Sequence, residues 1–378
     1  MSDASVSIRL NPFKGPDGPD GSPVPWSPWG RILDERPQFI LDPLMHAGCY
    51  YVQDSSAMFI GHLLRSRLGS FGPGVRVLDL CAAPGGKTTD AAASLRERFG
   101  GDFTLVANEV MKARASVLVD NVARWGDPAV SVVSVDPAVI GKALPGAFDI
   151  IIADVPCSGE GMFRKDPRAV EEWSPELVTV CAARQKRILA DVWPALRNGG
   201  LLIYSTCTYE DAENDANLRW AAEELGGDVI PPADEFSSYG VRLTSCGSLL
   251  RAGVVPGEGQ WAGMLIKGTG APRAGRFDIS VLRPLRNGIP GPTVKGKDVI
   301  PHPDSVLGIG FDRNSMPTAE VDLGTALRFL HRDAILLPGA PLGYNAVTYK
   351  GHPLGLVKNL GNRCNNLLPM GRRILKDI

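Results

Sequence analysis

The chain has 378 residues, of which 44% are hydrophobic and 21% charged, and its formal net charge is -1. That length suggests two or three domains with real cores, and the near-neutral balance excludes a global basic signal for nucleic acid, so any such signal must be local. No run of about 18 apolar residues occurs, and the N-terminal stretch MSDASVSIRLNPFK lacks the charged-then-apolar pattern of a secretory signal, so a cytoplasmic protein with no membrane partner is expected.

Residues 11 to 30 are rich in Pro and Gly and read as a loop. From 43 onward, PLMHAGCYYVQDSSAMFIGHLLRSRL reads as a loop leading into a helix capped by Asp54 or Ser55. A regular alternation follows. The apolar runs VRVLDL (75–80), FTLVANE (103–109), VSVVSV (130–135), FDIIIAD (148–154) and GLLIYST (200–206) suit buried parallel strands. Helical patterns cover 87–99, 112–124 and 175–197; the last has Ser174 as N-cap, Pro175 at the first helical position and glycines beyond its end. Strand and helix alternating at this spacing predict an α/β fold, a parallel sheet covered on both faces. Segments 240–250 and 261–267 suit antiparallel strands at one edge. Residues 270 to 300 turn to Gly, Pro and basic residues, as a linker does. The remainder forms a small mixed unit. Its last stretch, 340–378, sets Lys350, Lys358, Arg363, Arg372, Arg373 and Lys376 against Asp377 alone.

In open parallel sheets, ligands sit beyond the carboxyl ends of the strands, beside strand one. The turn after strand one reads LDLCAAPGGKTT. Its end matches a nucleotide-binding P-loop, but Cys81 stands where that loop needs its first glycine, and Pro84 removes a backbone donor. Gly85 and Gly86 still permit close backbone approach, and the following helix start offers free N–H groups. Glu109, ending the second strand, suits the hydroxyls of a ribose. Asp136, after the third, suits the polar edge of a base. Together these describe a site for a nucleoside-containing ligand.

The seven cysteines (49, 81, 157, 181, 207, 246 and 364) form no C-x-x-C, and with the five histidines they offer no metal-ligand spacing, so no metal is expected. Most suit the role of small buried hydrophobes. Two differ. DVPCSGEG puts Asp154 and Cys157 at the end of strand four, and IYSTCTYE puts Cys207 at the end of strand five. If those strands are neighbours, about 4.8 Å apart, both thiols open onto one cleft. Methylation of a pyrimidine at carbon 5 calls for such a pair. A thiolate adding at carbon 6 makes carbon 5 nucleophilic, a carboxyl group manages charge at N3, and a second thiol assists release. Lys87 can steady the substrate or depress a thiol's pKa. The spacing leaves open which cysteine attacks.

LDLCAAPGGKT, ANE, DVPCSGEGMFRKDP and YSTCTY resemble the motifs of the Sun (NSUN-type) RNA cytosine-5 methyltransferases, and the bacterial RsmF-like group within them. The similarity extends upstream to FILDPLMHAGCYYVQDSSAM and downstream to PLGLVKNLGNRCNNLLP. The resemblance implies a Rossmann-like class I methyltransferase sheet over residues 61–270 and a PUA-like RNA-binding domain over 271–378. Residues 1–60 correspond to an N-terminal RNA-binding subdomain that looks shortened, because relatives carry a preceding helical segment. The region before GEG also lacks the aromatic, His and basic residues expected there. The resemblance implies S-adenosyl-L-methionine as methyl donor, held by Cys81, Ala82, Ala83, Pro84, Gly85, Gly86 and Lys87, with Glu109 on the ribose and Asp136 and Asp154 near the rest. It makes Cys207 the nucleophile and Cys157 the release helper, with Asp154 and Lys87 completing the catalytic set. The implied partner is folded RNA, with small-subunit rRNA, free or within the subunit, favoured over tRNA, and a monomer is expected.

Arg164, Lys165 and Arg168 follow the DVPCSG loop, and Arg184 lies on the next helix. With Lys358 and Arg363 near the C-terminus they make the expected RNA contacts, which supply salt-sensitive, sequence-poor affinity. A target base must leave its stack to reach a thiol. Two rival readings are a P-loop ATPase, which Cys81 and Pro84 oppose, and a non-catalytic RNA-binding assembly factor, which the intact thiol pair and Lys87 oppose.

Overall fold

A computed structural model describes residues 6–15, 17–164, 167–268 and 277–376. The chain opens with a four-stranded antiparallel sheet of β1 (Val6–Leu10), β2 (Ser22–Pro23), β3 (Gly30–Leu33) and β4 (Tyr50–Val52), ordered β2-β3-β1-β4. Helix α1 (Pro43–Ala47) is capped by Asp42, which accepts from Leu44 N. Asp54 accepts from Ser56 N ahead of α2 (Phe59–Arg67), so the expected cap acts on the short turn before that helix.

The large sheet then forms as the alternation predicts. Its parallel strands are β5 (Val75–Asp79), β6 (Phe103–Asn108), β7 (Val130–Val133), β8 (Phe148–Asp154) and β9 (Leu196–Thr206). Between them lie α3 (Gly86–Phe99), α4 (Lys112–Trp125), α5 (Pro137–Ala143), α6 (Pro167–Glu172) and α7 (Pro175–Val192). Successive strand residues go to opposite cores: Val77, Leu105, Ile150 and Ile203 to one, Leu78, Val106, Ile151 and Leu202 to the other. Burial on both faces is why these strands read as unbroken apolar runs. Ser174 caps α7 by accepting from Leu177 N at 3.1 Å. Beyond β9 come α8 (Asp215–Trp220), β10 (Gly227–Ile230), β11 (Arg242–Leu243), β12 (Gly247–Leu250) and β13 (Gln260–Lys267). The order is β11-β12-β13-β9-β8-β5-β6-β7, with β10 pairing β13. β13 runs antiparallel to β9.

The expected linker does more than connect. Within it, β14 (Arg286–Asn287) pairs with β7 at the far edge of the large sheet, and β15 (Thr293–Lys295) and β16 (Asp298–Ile300) form a hairpin. Arg286, buried, donates to Asp304 at 2.6 Å, and this buried pairing is what a composition count cannot register. The last sheet is β17 (Thr318–Glu320), β18 (Gly343–Tyr349), β19 (His352–Asn359) and β20 (Cys364–Asn366), packed with α9 (Leu323–His331). It shares one core with the N-terminal sheet: Ile8, Leu44 and Tyr50 belong to the same cluster as Phe329, Val347 and Val357. Among the described residues no helix is long and apolar enough to cross a membrane.

Candidate functional site

β5 lies between β6 and β8, so the turn after it sits at the switch point where open sheets bind ligands. The turn is held by its carbonyls. Arg114 donates to Ala83 O at 2.8 Å, Asn121 and Tyr51 to Pro84 O at 2.8 and 3.1 Å, and Arg9 to Gly86 O at 3.2 Å. Gly85 has φ +114°, a conformation suited to glycine, and directs the chain into α3. The first amides of that helix have no partner within it and face a ligand readily.

Two recesses meet at Cys81. One is lined by Cys81, Glu109, Met111, Arg114, Asp136 and Arg184. The other is lined by Gln53, Cys81, Ala82, Ala83, Pro84, Gly86, Lys87 and Asp154. Glu109 accepts from Met111 N through Oε1 at 2.9 Å, while its buried Oε2 has no hydrogen-bond partner and lies 3.4 Å from Arg114 Nη1. A buried carboxylate oxygen without a donor is rare, and one at this strand end fits a ribose hydroxyl. Asp136 caps α5, accepting from Ala138 N, and its exposed side chain lines the same recess. The residues therefore fit a nucleoside-containing donor such as S-adenosyl-L-methionine.

The chemistry-bearing groups gather at the ends of β8 and β9, which are adjacent and parallel with Asp154 opposite Ser205. Lys87 Nζ lies 2.8 Å from Asp154 Oδ2. Ser205 Oγ and Gln260 Nε2 donate to Asp154 Oδ1 at 2.8 and 3.0 Å. Burial alone would lower the Lys87 pKa, but the charge and hydrogen bond of Asp154 outweigh it and raise it. Cys157 Sγ and Cys207 Sγ stand 3.1 Å apart, both free thiols. The shared hydrogen bond pushes the two apart in acidity. It lowers Cys207, with help from Lys87 against burial and Asp154, and together with burial it pushes Cys157 well up. The thiolate is therefore favoured at 207, with Cys157 as its S–H donor.

A lattice of hydrogen bonds clamps the two cysteine loops. Gly161 N donates to Cys207 O at 2.7 Å, and Glu160 Oε2 accepts from Thr208 Oγ1 and Tyr209 N at 2.7 and 2.6 Å. Buried Glu213 accepts from Ser158 N and Gln185 Nε2 at 3.1 and 2.6 Å. Tyr209 Oη donates to Glu258 O at 3.0 Å, and Gly259, at φ +110°, leaves that hydroxyl room: a Cβ there would stand 2.3 Å from it.

The expected RNA-contact residues disperse. Arg164 is half-buried, 3.5 Å from Glu258, and Arg168 is exposed on α6. Lys165 lies outside the described residues. Arg184, on α7, lines the Glu109 recess. Lys358 and Arg363 are exposed on the last sheet, with Lys358 over the Tyr344 ring at 5.4 Å. Arg372, counted in the basic stretch, is buried against Asp120 and Asp304. SIRLNPFK is likewise internal. Arg9 bonds Gln53, Gly86 and Thr89; Asn11 bonds Gly48 O and Trp125 O; Lys14 bonds Ala47 O and Arg124 O, and burial lowers its pKa to about 7.

Sequence patterns did not single out Asp79, Ser205, Gln260 or Glu213. Asp79 is buried with one oxygen unpaired and the other taken by Thr88 at 2.6 Å; burial raises its pKa to about 7, against Thr88 and with Asp154. An acid at the end of an apolar strand was the available cue for it. Gln260 had none, because its role depends on which strand lies beside β9. Among the described residues no cluster suits a metal ion.

The sheet order is that of a Rossmann-like methyltransferase fold, here carrying a small C-terminal α+β domain. A methyltransferase homologue from Pyrococcus horikoshii superposes with a TM-score of 0.57 at 24% identity, over 70% of this chain and 87% of that one. Residues 72–224 match the 16S rRNA methyltransferase RsmB/F family, and residues 317–374 match the PUA domain of the methyltransferase RsmF. Over these two segments the chain is similar to the RsmB/F methyltransferases, and its last sheet is a PUA-like domain. Ribosomal RNA small subunit methyltransferase F of Salmonella paratyphi C is 37% identical over 250 residues, 60% of this chain and 51% of that protein. Its counterpart from Shigella dysenteriae is 36% identical over 260 residues, 64% and 53%. The chain thus spans about half the length of these relatives.

Proposed function

We propose that the protein methylates carbon 5 of a cytosine in folded RNA, with small-subunit rRNA as substrate and S-adenosyl-L-methionine as donor, acting as a cytoplasmic monomer. The observation that carries this reading is the pair of sulfurs 3.1 Å apart beside the Lys87–Asp154 pair. The donor supplies an electrophilic methyl group. Cys207, the more acidic thiol, adds at carbon 6 of the flipped base and leaves carbon 5 electron-rich. Addition puts negative charge on the ring, which the Lys87 ammonium stabilises, and the Asp154 carboxylate holds that ammonium in place at 2.8 Å. Once carbon 5 carries the methyl group, its proton goes to a base, and carbon 6 releases the Cys207 sulfur, to which Cys157 returns a hydrogen bond. Glu109 and Asp136 hold the adenosine end, and the turn 81–87 the remainder. Arg164, Lys165, Arg168, Lys358 and Arg363 are the proposed phosphate contacts, and the division at 1–60, 61–270 and 271–378 assigns them to two domains. The similarity to small-subunit rRNA methyltransferase F supports rRNA over tRNA.

Incubating Cys157→Ser with small-subunit rRNA and the donor should accumulate a covalent protein–RNA band that is absent from Cys207→Ala. Full methylation by Cys207→Ala would overturn the assignment.

A further inference from the structure

The thiol pair explains attack at carbon 6 but not the choice of base. Cytosine and uracil both have an electrophilic carbon 6, so some other group must tell them apart at carbon 4, where cytosine has an amino group and uracil a carbonyl.

Gln260 opens β13. In the β13–β9 register Trp261 faces Thr206 and Ala262 faces Ser205, and one step further along puts Gln260 across from Cys207. Directly opposed residues share a sheet face, so Gln260 and the proposed nucleophile lie side by side. The side chain is buried, 2% exposed, and its Nε2 donates to Asp154 Oδ1 at 3.0 Å. Asp154 is already held by Lys87 and Ser205 and as a carboxylate only accepts, so the amide nitrogen has to face it. The amide oxygen is thereby committed to the other side, and no hydrogen bond among the described residues reaches it. That oxygen is left free to accept a hydrogen bond from a donor in the substrate.

We infer that Gln260 selects cytosine, its Oε1 accepting a hydrogen bond from the exocyclic amino group of the base over Cys207. Uracil there opposes one acceptor with another. Asp154 fixes the amide's orientation, so discrimination is set by the Gln260–Asp154 bond before any RNA arrives. This inference rests on the carbon-5 reading above and adds the residue that decides which pyrimidine is used.

A fluorine at carbon 5 blocks the final proton removal and traps the covalent adduct. With small-subunit rRNA transcribed from 5-fluorocytidine triphosphate, the trapped nucleotide is mapped by mass spectrometry. A short RNA is then made with either 5-fluorocytidine or 5-fluorouridine at that position. Wild-type protein should trap the cytosine form at least about tenfold faster, the worth of one good hydrogen bond. In Gln260→Leu and in the near-isosteric Gln260→Met, the ratio should fall toward one while donor affinity and melting temperature hold. If both variants slow the two RNAs equally and keep the wild-type ratio, Gln260 only positions Asp154 and the inference fails. If wild type traps neither RNA, the carbon-5 reading fails, and this inference with it.

Discussion

Replacing Lys87 with Met keeps the length of the side chain and removes the cation beside Asp154. At 2.8 Å, two unit charges attract by about 6 kcal/mol at an effective dielectric of about 20. The pair is partly open, 15% and 27% exposed, and Asp154 keeps its bonds from Ser205 and Gln260, so solvent screening discounts that figure to a fraction. Cys207 feels both charges: Lys87 lowers its thiol pKa and Asp154 raises it. The substitution removes the first influence and uncovers the second, so the thiol becomes less acidic. The midpoint for alkylation of Cys207 should therefore rise. Iodoacetamide labelling across a pH series reads this directly, with the Cys207 peptide quantified by mass spectrometry. The methyl-transfer rate should fall in parallel at neutral pH. A midpoint that stays put or moves down would refute the assignment of Lys87 as the cation that prepares the thiol.

Asp304→Asn leaves Arg286 buried without its counter-charge and Arg372 with Asp120 alone, and removing one partner from such a buried pair costs about 3–5 kcal/mol; denaturant midpoints at neutral pH should show the loss. Burial would raise the Asp304 carboxyl, but the hydrogen bonds and charge of Arg372 and then Arg286 hold it below the usual carboxylate range. Its contribution is therefore present above the unfolded carboxyl's pKa, near 4, and disappears as pH falls through the lower folded value, so wild type and variant should converge in acid and not in base. Glu109→Gln should weaken S-adenosyl-L-methionine binding by about tenfold, since a charge-assisted acceptor becomes a weaker one, as measured by calorimetric titration without RNA. Unchanged affinity would remove Glu109 from the donor site.

The large sheet was legible because both its faces are buried: five apolar runs with helices between them leave few arrangements. The donor turn was legible for a related reason, since Gly85 and Gly86 mark close backbone approach and strand ends mark the ligand side. The shared cleft of Cys157 and Cys207 followed once their strands were taken as neighbours. What escaped were contacts set by tertiary neighbours. Gln260 meets Asp154 only because β13 adds antiparallel to β9, and Glu213 reaches Ser158 through a fold-back that no local pattern encodes. Basic residues were the least readable. Arg372 and Lys14 look like surface cations in a composition count, yet one closes a buried network and the other braces two helix ends. Charge at a position says nothing of burial when the partner is hundreds of residues away.

The core that joins the first sheet to the last also has a consequence in time. Ile8, Leu44 and Tyr50 wait for Phe329 and Val347, which leave the ribosome about 280 to 340 residues later. At about 5–20 residues per second, those first strands are made roughly 15–60 s before the surface that covers them exists. Meanwhile the central sheet, whose strands β5 to β13 lie between Val75 and Lys267, has all its parallel strands in hand. The nascent chain thus builds its catalytic middle first and knots its two ends together last, and a ribosome stalled before residue 329 leaves an apolar N-terminal sheet exposed for chaperones to hold.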